Sequence, residues 1–161
     1  MTGLEFAGQL SMGIVLGGAA IGSALGIGAS AQAAAGAWAK DEKAGKPLNF
    51  KYIILTGLPL SQTIYGFILM LGGLFPLVVG SNAEELTNAV SMHPGTLLGI
   101  GIAGGLAELF SAWLQGLIGA AGCRSISEGE GKSFIFIIIT MGIVETVGLF
   151  GFIFLFLVLP K

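Results

Sequence analysis

Residues 133–159 read SFIFIIITMGIVETVGLFGFIFLFLVL, and Glu145 is the one charged side chain among them. The run is longer than the roughly 20 apolar residues that a helix needs to cross the hydrocarbon core of a bilayer. It therefore predicts a membrane-spanning helix with a carboxylate near its middle. A charge at that depth costs about 2.5–3.5 kcal/mol, and such groups usually face the protein interior and mark the path of an ion or a proton.

The composition of the whole chain is that of a membrane protein. Of its 161 residues, 54% are hydrophobic, 10% are charged and 28 are glycine, and soluble domains do not have this balance. The charged residues are clustered, which leaves four long apolar segments. The expected fold class is an all-α membrane protein with four transmembrane helices, at about residues 6–38, 51–80, 93–123 and 133–159. The net charge of −2 gives no reason to expect nucleic acid as a partner.

Lysine and arginine are concentrated in the first and third connections, residues 39–51 and 124–132, and only Lys161 lies elsewhere. Because an excess of Lys and Arg in short loops marks the cytoplasmic side, we expect both connections to be cytoplasmic in the cell membrane. Both termini then lie outside. The second connection, which contains Glu84 and Glu85 and no lysine, also lies outside in this topology.

The sequence contains an internal repeat, and such repeats change the prediction of the fold. A shift of 86 residues places AAAGAWAKDEKAGKPLNF, from Ala33, over GAAGCRSISEGEGKSFIF, from Gly119, and brings Gly45 onto Gly131. The chain is therefore predicted to be a duplicated helical hairpin. Each unit contains two spans, so the two copies enter the membrane in the same direction and are parallel repeats.

The two predicted hairpins are residues 1–80 and 81–161. In the register of the repeat, Glu145 falls opposite Pro59. The second hairpin therefore carries the ion-carrying carboxylate, and the first hairpin has no carboxylate site.

The first and third helices are rich in glycine, and Gly18, Gly22 and Gly26 recur at a spacing of four residues. Small residues at this spacing let helix backbones approach closely in a bilayer, where van der Waals packing takes the place of the hydrophobic effect. The pattern fits a monomeric bundle and also a ring of several copies. Because the second and fourth helices carry bulkier side chains, we favour a ring with the narrow helices inside and the broad helices facing lipid.

Polar side chains are present at mid-span in three helices. At about 1.5 Å per residue from the cytoplasmic loops, Gln62, Gln115 and Glu145 lie at similar depths. Ser61 lies beside Gln62, and Pro59 is expected to kink the second helix and to free a backbone carbonyl, that of Leu55. These hard oxygen ligands suit a cation such as Na⁺. A proton needs only the carboxylate, and the glutamines can also serve as hydrogen-bond links between helices.

Glu108 is a second carboxylate in an apolar helix. It lies seven residues before Gln115, hence on the same face but roughly 10 Å further outward. It either sits protonated as a structural group or provides a second site, and the neutral structural role is preferred.

Three stretches together resemble one known family. They are LPLSQTIYGF in the second helix, LFSAWLQGLIGAAG in the third and VETVGLFGF in the fourth, and they resemble the proteolipid, or K subunit, of rotary V-type ATPases, in particular the sodium-pumping bacterial kind. The resemblance implies that Glu145 carries the ion and that Tyr65 closes the site. It implies further Na⁺ ligands in the Leu58 carbonyl, the Ser61 hydroxyl, Gln62 and Gln115. Glu108 is not part of the family pattern.

The mechanism implied by this resemblance is rotary. Copies of the chain would form a homo-oligomeric ring surrounded by lipid, and ATP hydrolysis in a separate soluble head would turn the ring past a membrane stator subunit with an essential arginine. The cytoplasmic connections would dock a central stalk. The chain itself would not be a catalyst, since it contains no phosphate-binding loop of the G-x-x-x-x-G-K-[ST] type.

Three alternatives are kept. The first is the same rotor role with H⁺ as the coupling ion. The second is a small four-span secondary transporter that uses Glu145 as a proton-coupled substrate site, although the loss of one carboxylate from a parallel duplication argues against it. The third is a structural four-span scaffold, which leaves Glu145 and its neighbouring amides unexplained.

Overall fold

The computed structural model describes residues 2–79, 89–129 and 131–160. Within these residues, four long helices are present and no β-strand occurs. Each of the four is long and apolar enough to cross a membrane, and they are α1 Gly3–Lys43, α2 Lys51–Val78, α3 Pro94–Glu128 and α4 Phe134–Leu157. The predicted all-α fold with four spans is confirmed. The second connection with Glu84 and Glu85 lies outside the described residues.

Two helices extend further than the sequence predicts. The first and third spans were expected to end near residues 38 and 123, but α1 continues to Lys43 and α3 to Glu128. Soon after each helix a glycine adopts the left-handed conformation, Gly45 (φ 66°) after α1 and Gly131 (φ 81°) after α3, and the two correspond in the repeat. The last turns of α1 and α3 carry charged residues, which a helix tolerates once it has left the membrane. The first and third connections are therefore shorter than the sequence predicts, and part of each expected connection is helical.

α1 and α3 pack against each other in the register of the repeat. Ser30 Oγ donates a hydrogen bond of 2.8 Å to the carbonyl of its counterpart Gly116, 86 residues away, and Gly18 lies against Gly105, the residue after its counterpart Gly104. The helices are therefore parallel and at matching heights. Gly22 and Gly26 also lie directly against the backbone of α3. The glycine pattern predicted from the sequence is thus the contact surface between α1 and α3.

α2 departs from regular α-helix in two places. It tightens to a 3₁₀ turn at Leu58–Leu60 and widens to a π-helix at Leu69–Leu74. The first distortion contains Pro59, whose carbonyl accepts a hydrogen bond of 2.6 Å from Ser23 Oγ of α1. Proline removes one backbone donor and crowds the preceding turn, so the predicted distortion at Pro59 is present as this 3₁₀ turn.

α4 forms the periphery of the chain. Only 11% of an apolar 18-residue stretch of α4 is buried within the chain, whereas 44% of the corresponding stretch of α3 is buried. Its buried residues are Met141 and Gly148, while bulky side chains such as Phe150 and Phe154 are exposed. An apolar surface of this kind suits lipid, as the sequence predicted for this helix.

Gly18→Ala should destabilise the chain, because the added Cβ would lie 2.6 Å from the carbonyl oxygen of Gly105 and 2.7 Å from its Cα. Backbone atoms cannot move aside cheaply, so we expect a loss of about 1–3 kcal/mol, measured as thermal unfolding in detergent. Gly17→Ala is the matched control, since no heavy atom lies within 4 Å of its added Cβ. Equal stability of the two variants would contradict the described packing of α1 on α3.

Candidate ion-binding site

The carboxyl group of Glu145 lies in the middle of α4 and is partly buried. It accepts two hydrogen bonds from two other helices: the Tyr65 hydroxyl of α2 donates to Oε1 at 3.1 Å, and Gln115 Nε2 of α3 donates to Oε2 at 3.2 Å. Each carboxyl oxygen therefore has a fixed donor. This arrangement holds the carboxyl group at one position between three helices.

The two glutamines are completely buried and contact each other. Gln62 and Gln115 are each 0% exposed, and Gln62 Nε2 donates to Gln115 Oε1 at 3.2 Å. Gln115 Nε2 also lies 3.3 Å from the carbonyl oxygen of Met141, one turn before Glu145. Buried amides need such partners, because an unpaired polar group costs about 1–3 kcal/mol. Gln62, Gln115 and Glu145 thus meet at one depth, as their positions along the spans predict.

Ser61 and Leu58 adjoin the amide pair. The Ser61 hydroxyl lies 3.1 Å from the carbonyl oxygen of Leu58 and 3.1 Å from Gln62 Oε1. The 3₁₀ turn around Pro59 produces this arrangement, because it brings the Leu58 carbonyl beneath Ser61. The carbonyl of Leu55, which the sequence led us to expect near the site, instead lies beside Gly119 of α3.

Ser111 belongs to the same network, although the sequence analysis did not identify it. Its hydroxyl oxygen accepts from Gln62 Nε2 at 3.2 Å and donates to the carbonyl of Val144 at 3.0 Å. The side chain is 3% exposed. The sequence does contain one indication of this role. Ser111 lies four residues before Gln115, and residues at this spacing share a helix face.

The ring of Tyr65 is held by an aromatic neighbour. It stacks on Phe152 of α4, with ring centroids 5.9 Å apart and an interplanar angle of 17°. Such a pair adds about 0.5–1.5 kcal/mol beyond the burial of apolar area. Phe152 was also missed by the sequence analysis, and it fixes the direction in which the tyrosine hydroxyl points.

No positive side chain neutralises the Glu145 carboxylate within the apolar spans. Residues 52–78, 94–123 and 134–158, and residues 11–39 of α1, contain no Lys, Arg or His. The groups around the carboxylate are amides, hydroxyls and a carbonyl, which are hard ligands that suit a hard cation. The site is therefore suited chemically to bind a monovalent cation or a proton.

Glu108 does not belong to this hydrogen-bonded network. Its side chain is 1% exposed, and neither carboxyl oxygen has a hydrogen-bond partner among the described residues. It lies beside Gly148, one turn along α4 from Glu145. The structure therefore separates Glu108 from the residues predicted to hold the ion.

A family model for the C subunit of ATP synthase matches residues 10–71 and again residues 98–158. The chain belongs to this ATP synthase family. The first match contains Leu58, Ser61, Gln62 and Tyr65, and the second contains Gln115 and Glu145. Two matches, one in each half of the chain, agree with the duplicated hairpin.

One curated relative is the A-type ATP synthase subunit K of Methanocaldococcus jannaschii. It is 30% identical to this chain over 156 residues, which cover 94% of the chain and 61% of the relative. The chain therefore spans about three fifths of the length of this relative. The resemblance expected from the sequence is confirmed at the level of the ATP synthase C-type rotor family.

Ser111→Ala should destabilise the chain, because it removes the acceptor of a Gln62 N–H and the donor to the Val144 carbonyl. We expect a loss of about 1–3 kcal/mol in detergent unfolding experiments. Ser11→Ala is the matched control, since Ser11 is equally buried and its hydroxyl has no hydrogen-bond partner in the part of the chain that is described. A larger loss for Ser11→Ala would argue against this role of Ser111.

Proposed function

We propose that this chain is a non-catalytic rotor subunit of a bacterial V-type ATPase, the K-type proteolipid. Several copies form a ring in the membrane, and each copy carries a cation at Glu145 while ATP hydrolysis in a soluble head turns the ring. The observation that carries this proposal is the Glu145 carboxyl group in mid-span, clamped by Tyr65 and by the buried pair Gln62 and Gln115. Membership of the ATP synthase family named above supports the rotor role.

Na⁺ is the coupling ion in this proposal. Oxygen atoms for a Na⁺ ion are present at the same depth in Glu145, Gln62, Ser61 and the Leu58 carbonyl. A proton would need only the carboxylate. Gln115 now presents its amide nitrogen to Glu145. To ligate Na⁺ it turns about its terminal bond, so that its oxygen faces the ion and its N–H takes the place where its oxygen now accepts from Gln62.

H⁺ is the second candidate, and one observation favours it. Gln115 turns its amide nitrogen to Glu145 and keeps its oxygen on Gln62, so in this arrangement the amide supports the carboxyl group and does not offer an oxygen ligand to a metal ion. The two candidates differ in whether the Gln115 amide is a ligand of the ion or a support for the carboxyl group.

The cost of a charge in hydrocarbon determines where in the rotation Glu145 can exchange its ion. A bare charge is expensive in hydrocarbon, so Glu145 must be ion-bound and electrically neutral while it faces lipid. A positive arginine on a membrane stator displaces the ion by pairing with the carboxylate. Each ion moved against the membrane potential costs about 2.3 kcal/mol per 100 mV, and the soluble head supplies this energy because the chain has no nucleotide-binding loop.

The cytoplasmic side in this proposal is the end with the basic connections, residues 39–51 and 124–132. The helical extensions of α1 and α3 are joined there by an ion pair between Lys40 and Glu128, with Nζ and Oε1 3.9 Å apart. This end docks the central stalk, both termini face outward, and α4 faces lipid or the stator.

Glu145→Gln should abolish ion-coupled ATPase activity and leave ring assembly intact, because the amide keeps the shape of the side chain but cannot exchange an ion. Ion transport and ATP hydrolysis are measured together in vesicles that contain the whole complex. Glu5→Gln, at the capping box of α1, is the control and should transport normally. Normal transport by Glu145→Gln would contradict the assignment of the site.

Gln62→Ala and Gln115→Ala should weaken Na⁺ binding by roughly 10–100-fold and H⁺ binding much less, because amide oxygens coordinate a metal ion but are not needed to hold a proton. Competition between Na⁺ and H⁺ for the purified ring measures both affinities. Gln32→Ala, an exposed glutamine on α1, is the control. Equal loss of affinity for the two ions would favour H⁺ as the coupling ion.

A further inference from the structure

Glu108 of α3 is a buried acid that the proposed ion site does not use. Its side chain is 1% exposed, and Oε1 and Oε2 both lack a hydrogen-bond partner among the described residues. Buried polar atoms are nearly always paired, and an exception calls for an explanation by a bound ion, a proton or a water molecule. Both oxygens of one carboxyl group are exceptions here.

The side chain points into a space that a glycine of α4 leaves open. A Cβ on Gly148 would lie 2.8 Å from Glu108 Oε2 and 2.9 Å from Ser111 Oγ. The two oxygens therefore border one small gap, which any larger residue at position 148 would fill. Ser111 in turn bonds to Gln62, so this gap adjoins the outer end of the network around Glu145.

A negative charge on Glu108 would have no counter-charge. Residues 52–78, 94–123 and 134–158 contain no Lys, Arg or His, and their titratable side chains other than Glu108 are Tyr52, Tyr65, Cys123 and Glu145, none of which carries a positive charge. α1 contributes none, because residues 11–39 contain no titratable side chain. An isolated ionised carboxylate in a medium of low dielectric is very costly, so the carboxyl group must bind a cation.

The chemistry of the gap favours a proton over a metal ion. Na⁺ prefers several oxygen ligands, but the side-chain oxygen that lies with Glu108 Oε2 at Gly148 is the hydroxyl of Ser111, which already donates to Val144 and accepts from Gln62. A proton needs one carboxyl oxygen alone.

We propose that Glu108 is a second cation site of the rotor chain, which binds a proton and keeps it while the ion at Glu145 is exchanged. Glu108 is enclosed by the helices of its own chain, whereas Glu145 is partly exposed on α4. The proton on Glu108 is therefore carried with the rotor and is not transported. The proton site itself follows from the surroundings of Glu108, and only the contrast with an exchanging ion rests on the proposed function.

Infrared spectroscopy of the assembled protein tests this proposal, since a protonated carboxyl group has a C=O band separate from those of carboxylates and amides. Glu145→Gln leaves Glu108 as the one carboxyl group in residues 11–39, 52–78, 94–123 and 134–158. We expect that variant to retain the band at neutral pH and the double variant with Glu108→Gln to lose it. A missing band in Glu145→Gln, or a band unchanged in the double variant, would overturn the proposal. Glu108→Asp, which keeps the acid and shifts the band, serves if the double variant does not assemble.

A second measurement separates the two carboxyl groups in the unmodified protein. NaCl added at mildly acidic pH should remove the share of the band that comes from Glu145 and leave the share from Glu108. Loss of both shares would show that Glu108 also exchanges its ion, and the proposal would fail. If NaCl removes neither share while Glu108→Gln still removes one, the proton site stands and Na⁺ as the coupling ion is wrong.

Discussion

A carboxyl group in the middle of a bilayer is the constraint on which the rest of the structure depends. Glu145 has two donors, the Tyr65 hydroxyl and the Gln115 amide, but no positive side chain. An intramembrane charge of this kind costs several kcal/mol unless a cation neutralises it. The surrounding helices therefore place polar groups at the depth of Glu145 but supply no positive charge. Neutralisation of the carboxylate then depends on an exchangeable ion, as an ion carrier requires.

The duplication of the hairpin makes this placement possible. The site takes Gln62 and Tyr65 from α2 of the first hairpin and Gln115 and Glu145 from α3 and α4 of the second, so the first hairpin serves the site although it has no carboxylate in mid-span. Glycine contacts between α1 and α3 fix the relative height of the two copies. Ser23 of α1 then bonds to the Pro59 carbonyl, which links that frame to the 3₁₀ turn beneath Gln62.

The sequence was sufficient for those features that depend on length, depth and periodicity. Four apolar runs predicted the spans, and counting along them brought Gln62, Gln115 and Glu145 to one level. The sequence could not predict individual side-chain contacts. The role of Ser111, for example, depends on how α3 is rotated relative to α2 and α4. The ends of α1 and α3 were also missed, since hydropathy records where a helix leaves the membrane, whereas the backbone of a glycine such as Gly45, in the left-handed conformation just after α1, marks where the helix stops.

The most direct test of the account is the rate at which a hydrophobic carbodiimide labels Glu145 in detergent, with and without Na⁺ at fixed pH. The reagent attacks the protonated acid, so an ion bound by the carboxylate protects it. The account predicts that Glu145 is labelled and that millimolar Na⁺ slows its labelling. Labelling that is indifferent to Na⁺ would contradict sodium as the transported ion, and a Glu145 that does not react at any Na⁺ concentration would contradict its role as the ion carrier.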